Sequence, residues 1–112
     1  MEVTRNKIEG INIVRLKGSL TVATAQDFFS QMVSFLEEGE TNFLLQMSSV
    51  DFIDSTGLGT IVRLGKRVKE ASGHLRLSDP QPKILEMFEL TRLEKILPIF
   101  RTQDEALEDL RD

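Results

Sequence analysis

Residues 54–59 read Asp-Ser-Thr-Gly-Leu-Gly, and most of the chemistry this chain offers is concentrated there. Two hydroxyls follow a carboxylate that could orient one of them or hold a cation. Gly57 and Gly59 could leave backbone N–H groups uncovered for a phosphate or a partner. The plainer reading is a helix N-cap, because a short side-chain oxygen accepts from the first free N–H groups of a helix. A plain cap gains nothing from two glycines, each of which costs about 1 kcal/mol relative to Ala in a helix interior. Close packing of the helix against a strand would also demand glycine, and spacing alone does not separate these readings. His74 is the single histidine and cysteine is absent. A thiol nucleophile, a zinc ribbon and an iron–sulfur site therefore lack their donors. A multi-histidine metal site is excluded, and with no histidine near residues 54–59 in sequence a hydrolytic triad is disfavoured. No cofactor or metal is expected. The chain has no Gly-x-x-x-x-Gly-Lys-[Ser/Thr] loop and no second catalytic cluster, which ranks a nucleotide-binding enzyme lowest among the functions considered.

Composition narrows the field further. A chain of 112 residues predicts a single domain spanning 1–112, large enough to fold without a metal or a disulfide. The net charge of −4 argues against direct nucleic-acid binding, which needs a basic footprint. Trp and Tyr are absent, so base-stacking platforms would have to come from Phe. No apolar run approaches the roughly 18 residues of a membrane span. Met1–Gly10 has no signal-peptide core, and the expected location is the cytoplasm.

The elements that must position residues 54–59 alternate between strand and helix patterns. Glu2–Ile8 and Ile11–Leu16 read as strands joined by a Glu9-Gly10 turn, with Gly18 closing the second. Ala25, Phe28, Phe29, Met32, Val33 and Leu36 form a helical stripe, with Thr21 or Thr24 as cap and Gly39 as stop. Phe35 falls off that stripe, towards solvent. Asn42–Met47 is a short buried strand that Ser48-Ser49 ends, and Val50–Ile53 leads into the Asp54 segment. Leu58, Ile61, Val62, Gly65 and Val68 mark the buried face of the next helix, which Ser72-Gly73 stops. His74–Leu77 reads as a strand. Pro82 suits the first turn of a helix whose inner face is Ile84, Leu85 and Phe88. Ile96–Phe100 is a strand that Pro98, lacking an N–H, either confines to a sheet edge or interrupts. Thr102 and Glu105 form a capping box for a last helix built on Ala106, Leu107 and Leu110. The order β-β-α-β-α-β-α-β-α predicts an α/β fold: a mixed sheet of four or five strands with about four helices.

Other charged positions carry two readings each. Arg63, Lys66, Arg67 and Lys69 suit the C-terminal part of their helix and solvent. The functional reading makes Arg63, Lys66 and Arg67, with Leu58, a partner surface that steers an acidic protein. The acidic tail from Asp104 to Asp112 is a solvated helix face or a set of charge contacts. His74 reads as structural.

Asp54-Ser55-Thr56-Gly57-Leu58-Gly59, preceded by Phe52-Ile53, resembles the Asp-Ser-[Ser/Thr]-Gly-[Leu/Ile]-Gly signature of STAS domains. The segment is most similar to that of stand-alone bacterial anti-sigma factor antagonists. Gly18-Ser19-Leu20-Thr21 also falls where the family has a Gly-x-Leu-Asp turn. The resemblance implies a STAS-like fold and a phosphorylation switch. Ser55 would be phosphorylated by an anti-sigma factor that is also a serine kinase, with Thr56 a second candidate acceptor. Asp54, Gly57, Gly59 and Thr21 would form its environment. The unphosphorylated form would bind the anti-sigma factor and free the sigma factor, and a PP2C-type phosphatase would reset the switch. The chain would be a substrate, not an enzyme. Two positions depart from the pattern: Thr21 replaces the usual Asp, and Gln46 stands where an Asp or Asn often ends the third strand. These departures keep a second role open, as a STAS module in another partner-switching, stressosome-like, transport or lipid-trafficking complex.

Overall fold

The computed structural model describes residues 1–111, so Asp112 of the acidic tail lies outside the described residues. Strands β1 (Glu2–Ile8) and β2 (Ile11–Leu20) form a hairpin. Helix α1 (Ala25–Glu37), strand β3 (Asn42–Ile53), helix α2 (Ser55–Glu70) and strand β4 (His74–Ser78) follow. Helix α3 (Pro82–Leu90), a 3-10 turn at Leu93–Lys95, strand β5 (Ile99–Phe100) and helix α4 (Gln103–Leu110) complete the chain. The five strands lie in the order β1-β2-β3-β4-β5. Only the β1–β2 pair is antiparallel. The expected element order and mixed sheet are those observed.

Alternation along the strands sends side chains to two faces. Val14, Leu16, Phe43 and Leu45 pack with Phe28 and Met32 of α1, Ile61 and Leu64 of α2 and Phe88 of α3. On the other face Ile11, Ile13 and Leu44 meet Ala106 and Leu107 of α4. The hairpin turns through Glu9 (φ 53°) and Gly10 (φ 82°). Positive φ at both central residues matches the twist of the flanking strands.

Several boundaries differ from the sequence reading. Gly18 does not close β2; it lies inside the strand at φ 112°, paired with Val50. Ser48-Ser49 does not end β3. The β2–β3 register slips there, from Arg15↔Gln46 to Lys17↔Ser49, and the strand continues to Ile53. A bulge frees polar groups, and Gln46 accepts from both the Ser48 N–H (2.9 Å) and the Ser48 hydroxyl (2.7 Å). Ser48 is thus held by the Gln46 side chain, and Ser49 by its pairing with Lys17, where the sequence reads as a break. β5 shrinks to two residues at the sheet edge, and the expected strand before it, from Ile96, is irregular. Phe35 is half-buried, with the Arg5 guanidinium 4.1 Å above its ring.

β4 stops at Ser78, opposite Gln46, while β3 runs on to Ile53 beside β2 alone. This overhang carries Asp54 and the start of α2 beyond the end of β4. No helix among the described residues is long and apolar enough to cross a membrane.

Candidate functional site

α2 starts at Ser55 because Asp54 leaves the helical region (φ −95°, ψ −177°) and turns its carboxylate back on the first turn. Its Oδ1 accepts from the Gly57 N–H at 2.8 Å. Its Oδ2 accepts from the Val22 N–H at 3.0 Å, in the loop between β2 and α1. The Asp54 N–H in turn donates to the Leu20 carbonyl at 3.2 Å. One residue therefore caps α2 and ties it to the exit of β2. The Gly57 N–H, and after it the Val22 N–H, hold the Asp54 carboxyl below the usual carboxylate range. Asp54 stays ionised near neutral pH with both oxygens engaged, which makes it a fixed anion beside Ser55.

Ser55 and Thr56 are exposed, and neither hydroxyl has a hydrogen-bond partner among the described residues. Thr56 contributes its carbonyl, which accepts from the Thr60 hydroxyl at 2.8 Å. The two glycines divide the readings that spacing left open. A Cβ on Gly57 would stand 2.2 Å from the Leu20 carbonyl oxygen, so glycine is required there by close approach of backbone. A Cβ on Gly59 would meet nothing within 4 Å. Gly59 is exposed and leaves the start of the second turn of α2 bare.

Thr21 lies beside this cap, but it serves the loop. Its Oγ1 accepts from the Ala23 N–H at 3.2 Å, and its carbonyl accepts from the Thr24 and Ala25 N–H groups. The expected hydroxyl cap on α1 is absent: Thr24 holds the N-cap position, yet its Oγ1 accepts from Thr21 N–H and donates to the Ser19 carbonyl. Gln46 is a further correction. It does not end β3; it is buried within it and donates to Asp79 Oδ2 at 3.2 Å.

Of the candidate partner residues, Leu58 is half-buried and packs on the core. Arg63, Lys66 and Arg67 are exposed, with no carboxylate within ion-pair reach among the described residues. The Arg63 guanidinium lies 4.1 Å over the Phe29 ring of α1, which fixes its direction. The buried face of α2 is Gly57, Thr60, Ile61, Leu64 and Val68, rotated from the expected stripe. His74 opens β4 after the C-terminal end of α2, the length of a 16-residue helix from Ser55.

Sequence reasoning missed two residues. Val22 (73% exposed) and Phe52 (55% exposed) are large apolar side chains left in solvent on the two segments that Asp54 joins. Phe52 carried a signal: adjacent Phe52 and Ile53 in one strand cannot both face the same core. Val22 carried none, since a lone apolar residue in a loop is ordinary.

This arrangement presents a free hydroxyl at a helix start, next to a locked carboxylate, with exposed apolar Val22 and Phe52 on the two segments that Asp54 joins. The STAS domain family model matches residues 2–106. The chain belongs to the STAS domain family. Among its STAS relatives, the anti-sigma F factor antagonist of Paenibacillus polymyxa is 27% identical over 111 residues, covering 98% of this chain and 95% of the relative. The anti-sigma-B factor antagonist of Bacillus subtilis is 30% identical over 86 residues, covering 77% and 78% of the two chains. The crystal structure of TM1081 from Thermotoga maritima superposes with a TM-score of 0.93 at 29% identity, covering 98% of this chain and 95% of that one.

Proposed function

We propose that this chain is an anti-sigma factor antagonist controlled by phosphorylation at Ser55. The observation that carries the reading is the Ser55 hydroxyl, exposed and unbonded at the first position of α2 beside an ionised Asp54. The names of the Paenibacillus and Bacillus relatives support the assignment of partner. In this reading unphosphorylated Ser55 sits in a surface that binds an anti-sigma factor serine kinase and so frees the sigma factor. Phosphorylation releases the kinase, and a PP2C-type phosphatase restores the binding form. The chain is the kinase's substrate and catalyses no step itself.

The physics suits a switch that leaves the fold alone. A phosphate adds about −1.5 to −2 charge and would take the chain from −4 to about −6. The positive end of the α2 dipole tolerates that charge. Asp54 does not leave to make room, because two backbone N–H groups hold it. Two anions then stand side by side in a surface otherwise marked by Val22, Phe52 and Gly59. Burying them against a partner costs desolvation and repulsion, so the effect falls on binding.

The test is phosphorylation of the full chain by the anti-sigma factor kinase with labelled ATP, followed by site mapping. Ser55→Ala abolishes the label and keeps kinase binding, whereas Ser55→Asp weakens binding. A label that persists in Ser55→Ala would refute the mechanism.

A further inference from the structure

At the opposite end of α2 the surface opens into a groove of about 670 Å³. Its sides are the C-terminal half of α2, the start of β4 and the Ile96–Pro98 segment. The groove exists because α3 ends at Leu90 and the irregular chain that follows covers this part of α2 incompletely. Leu97 is buried and presses on α2 at Gly65, where a Cβ would stand 2.9 Å from a Leu97 methyl. Ile96 next to it remains 61% exposed. Leu75, Leu97 and Pro98 supply an apolar floor.

The rim is charged, and the charges are unequally free. Lys66 and Lys69 stand three residues apart on one side of α2, and both line the groove. Neither has a carboxylate within ion-pair reach among the described residues. Arg76 is already spent on Asp109 (2.6 Å) and on the Leu75 carbonyl (3.0 Å). Glu70 is the one carboxylate on the lining. Two available ammonium groups over an aliphatic floor select locally against cations and for an anion with an apolar body, even though the whole chain carries a net charge of −4. The volume lies within the ~300–1,000 Å³ of small-molecule sites.

We infer that this groove binds a single-tailed amphipathic anion, with its carboxylate or phosphate on Lys66 and Lys69 and its tail along Leu75, Ile96, Leu97 and Pro98. The site is separate from the Ser55 switch. Lys66 and Lys69 lie eleven and fourteen helical steps from Ser55, about 16 and 21 Å along α2, beyond the ~8–10 Å over which salt screens exposed charges. The inference does not depend on the proposed function.

The experiment is a titration of the isotopically labelled full chain followed by amide resonances. Dodecanoate and dodecyl phosphate are the probes, each below its micelle concentration. Dodecyltrimethylammonium serves as a cation with the same tail and acetate as an anion without one. Both anionic amphiphiles saturate and shift the amides of Gly65, Gly73, His74 and Leu97, and their relative affinities separate a carboxylate source from a phosphate one. The cation and acetate each bind at least about tenfold more weakly. Replacing both lysines (Lys66→Gln with Lys69→Gln) lowers affinity for the anions about tenfold, Glu70→Gln raises it, and Ser55→Asp leaves it unchanged. Equal binding of the cationic amphiphile, shifts centred away from the groove, no saturation, or occupation of the groove by a second copy of the chain would each overturn the inference.

Discussion

Two helices of this molecule begin on a side-chain cap, and their hydroxyls have opposite fates. At α4 the cap is Thr102. Its Oγ1 accepts from the Glu105 N–H at 3.2 Å and donates to Glu105 Oε1 at 3.0 Å, so the hydroxyl is fully occupied. The expected reciprocal box is half formed, because the Glu105 carboxylate takes the hydroxyl proton as its donor. At α2 the cap is a carboxylate one residue earlier, and the hydroxyls of Ser55 and Thr56 have no structural duty. Capping through Asp54 separates holding the helix from presenting the hydroxyl. A modification at Thr102 would attack the cap, whereas one at Ser55 spares it.

Substitutions can break or sharpen this contrast. The largest effect belongs to Gly57→Ala, because its new Cβ collides with the Leu20 carbonyl oxygen. Denaturant titration should show a loss of about 3 kcal/mol. Gly59→Ala, two residues away with open space, should be neutral or stabilising by up to ~1 kcal/mol. Asp54→Ala comes next, since it uncaps α2 and releases the Val22 loop together. Its cost depends on pH. The folded carboxyl is depressed, so the stabilisation is fully present above the unfolded carboxylate value and is lost as pH falls through the folded one. Urea midpoints of the parent and Asp54→Ala should therefore differ at neutral pH and converge in acid. Thr102→Ala should cost about 1 kcal/mol, the usual loss of a hydroxyl cap, with no change in binding to the proposed kinase partner. The smallest effect is Ser55→Ala, which should shift thermal stability by no more than about 0.5 kcal/mol while removing the proposed phosphoacceptor. A Ser55→Ala loss as large as that of Thr102→Ala would erase the distinction between the two helix starts.

What could be read from the sequence follows the range of the interactions involved. The helices and most strands declare themselves through local periodicity, and the Asp54–Gly59 turn through residue types that suit a helix start. The β3 bulge is different: Ser48-Ser49 reads as a break until the Gln46 side chain is found serving both Ser48 donors. Gly57 and Gly59 look alike in sequence, and only the Leu20 carbonyl, 37 positions before Gly57, tells them apart. Thr24 is a good capping residue diverted to Ser19, a partner that local preference does not anticipate. Val22 becomes part of the site only because Asp54 reaches across to its N–H.

The strands lie in space in the order in which they occur along the chain. Each new strand can therefore dock on one already in place, beginning with the β1–β2 hairpin, as the polypeptide leaves the ribosome. No strand must be inserted between two others. The helix that shields Ile11, Ile13 and Leu44 follows all five strands along the chain. Until α4 emerges, apolar side chains from the first hairpin stay wet on the sheet's second face. A nascent chain released up to but not including Gln103 would thus carry all five strands and an exposed sticky patch, which marks the interval in which a chaperone has most to offer it.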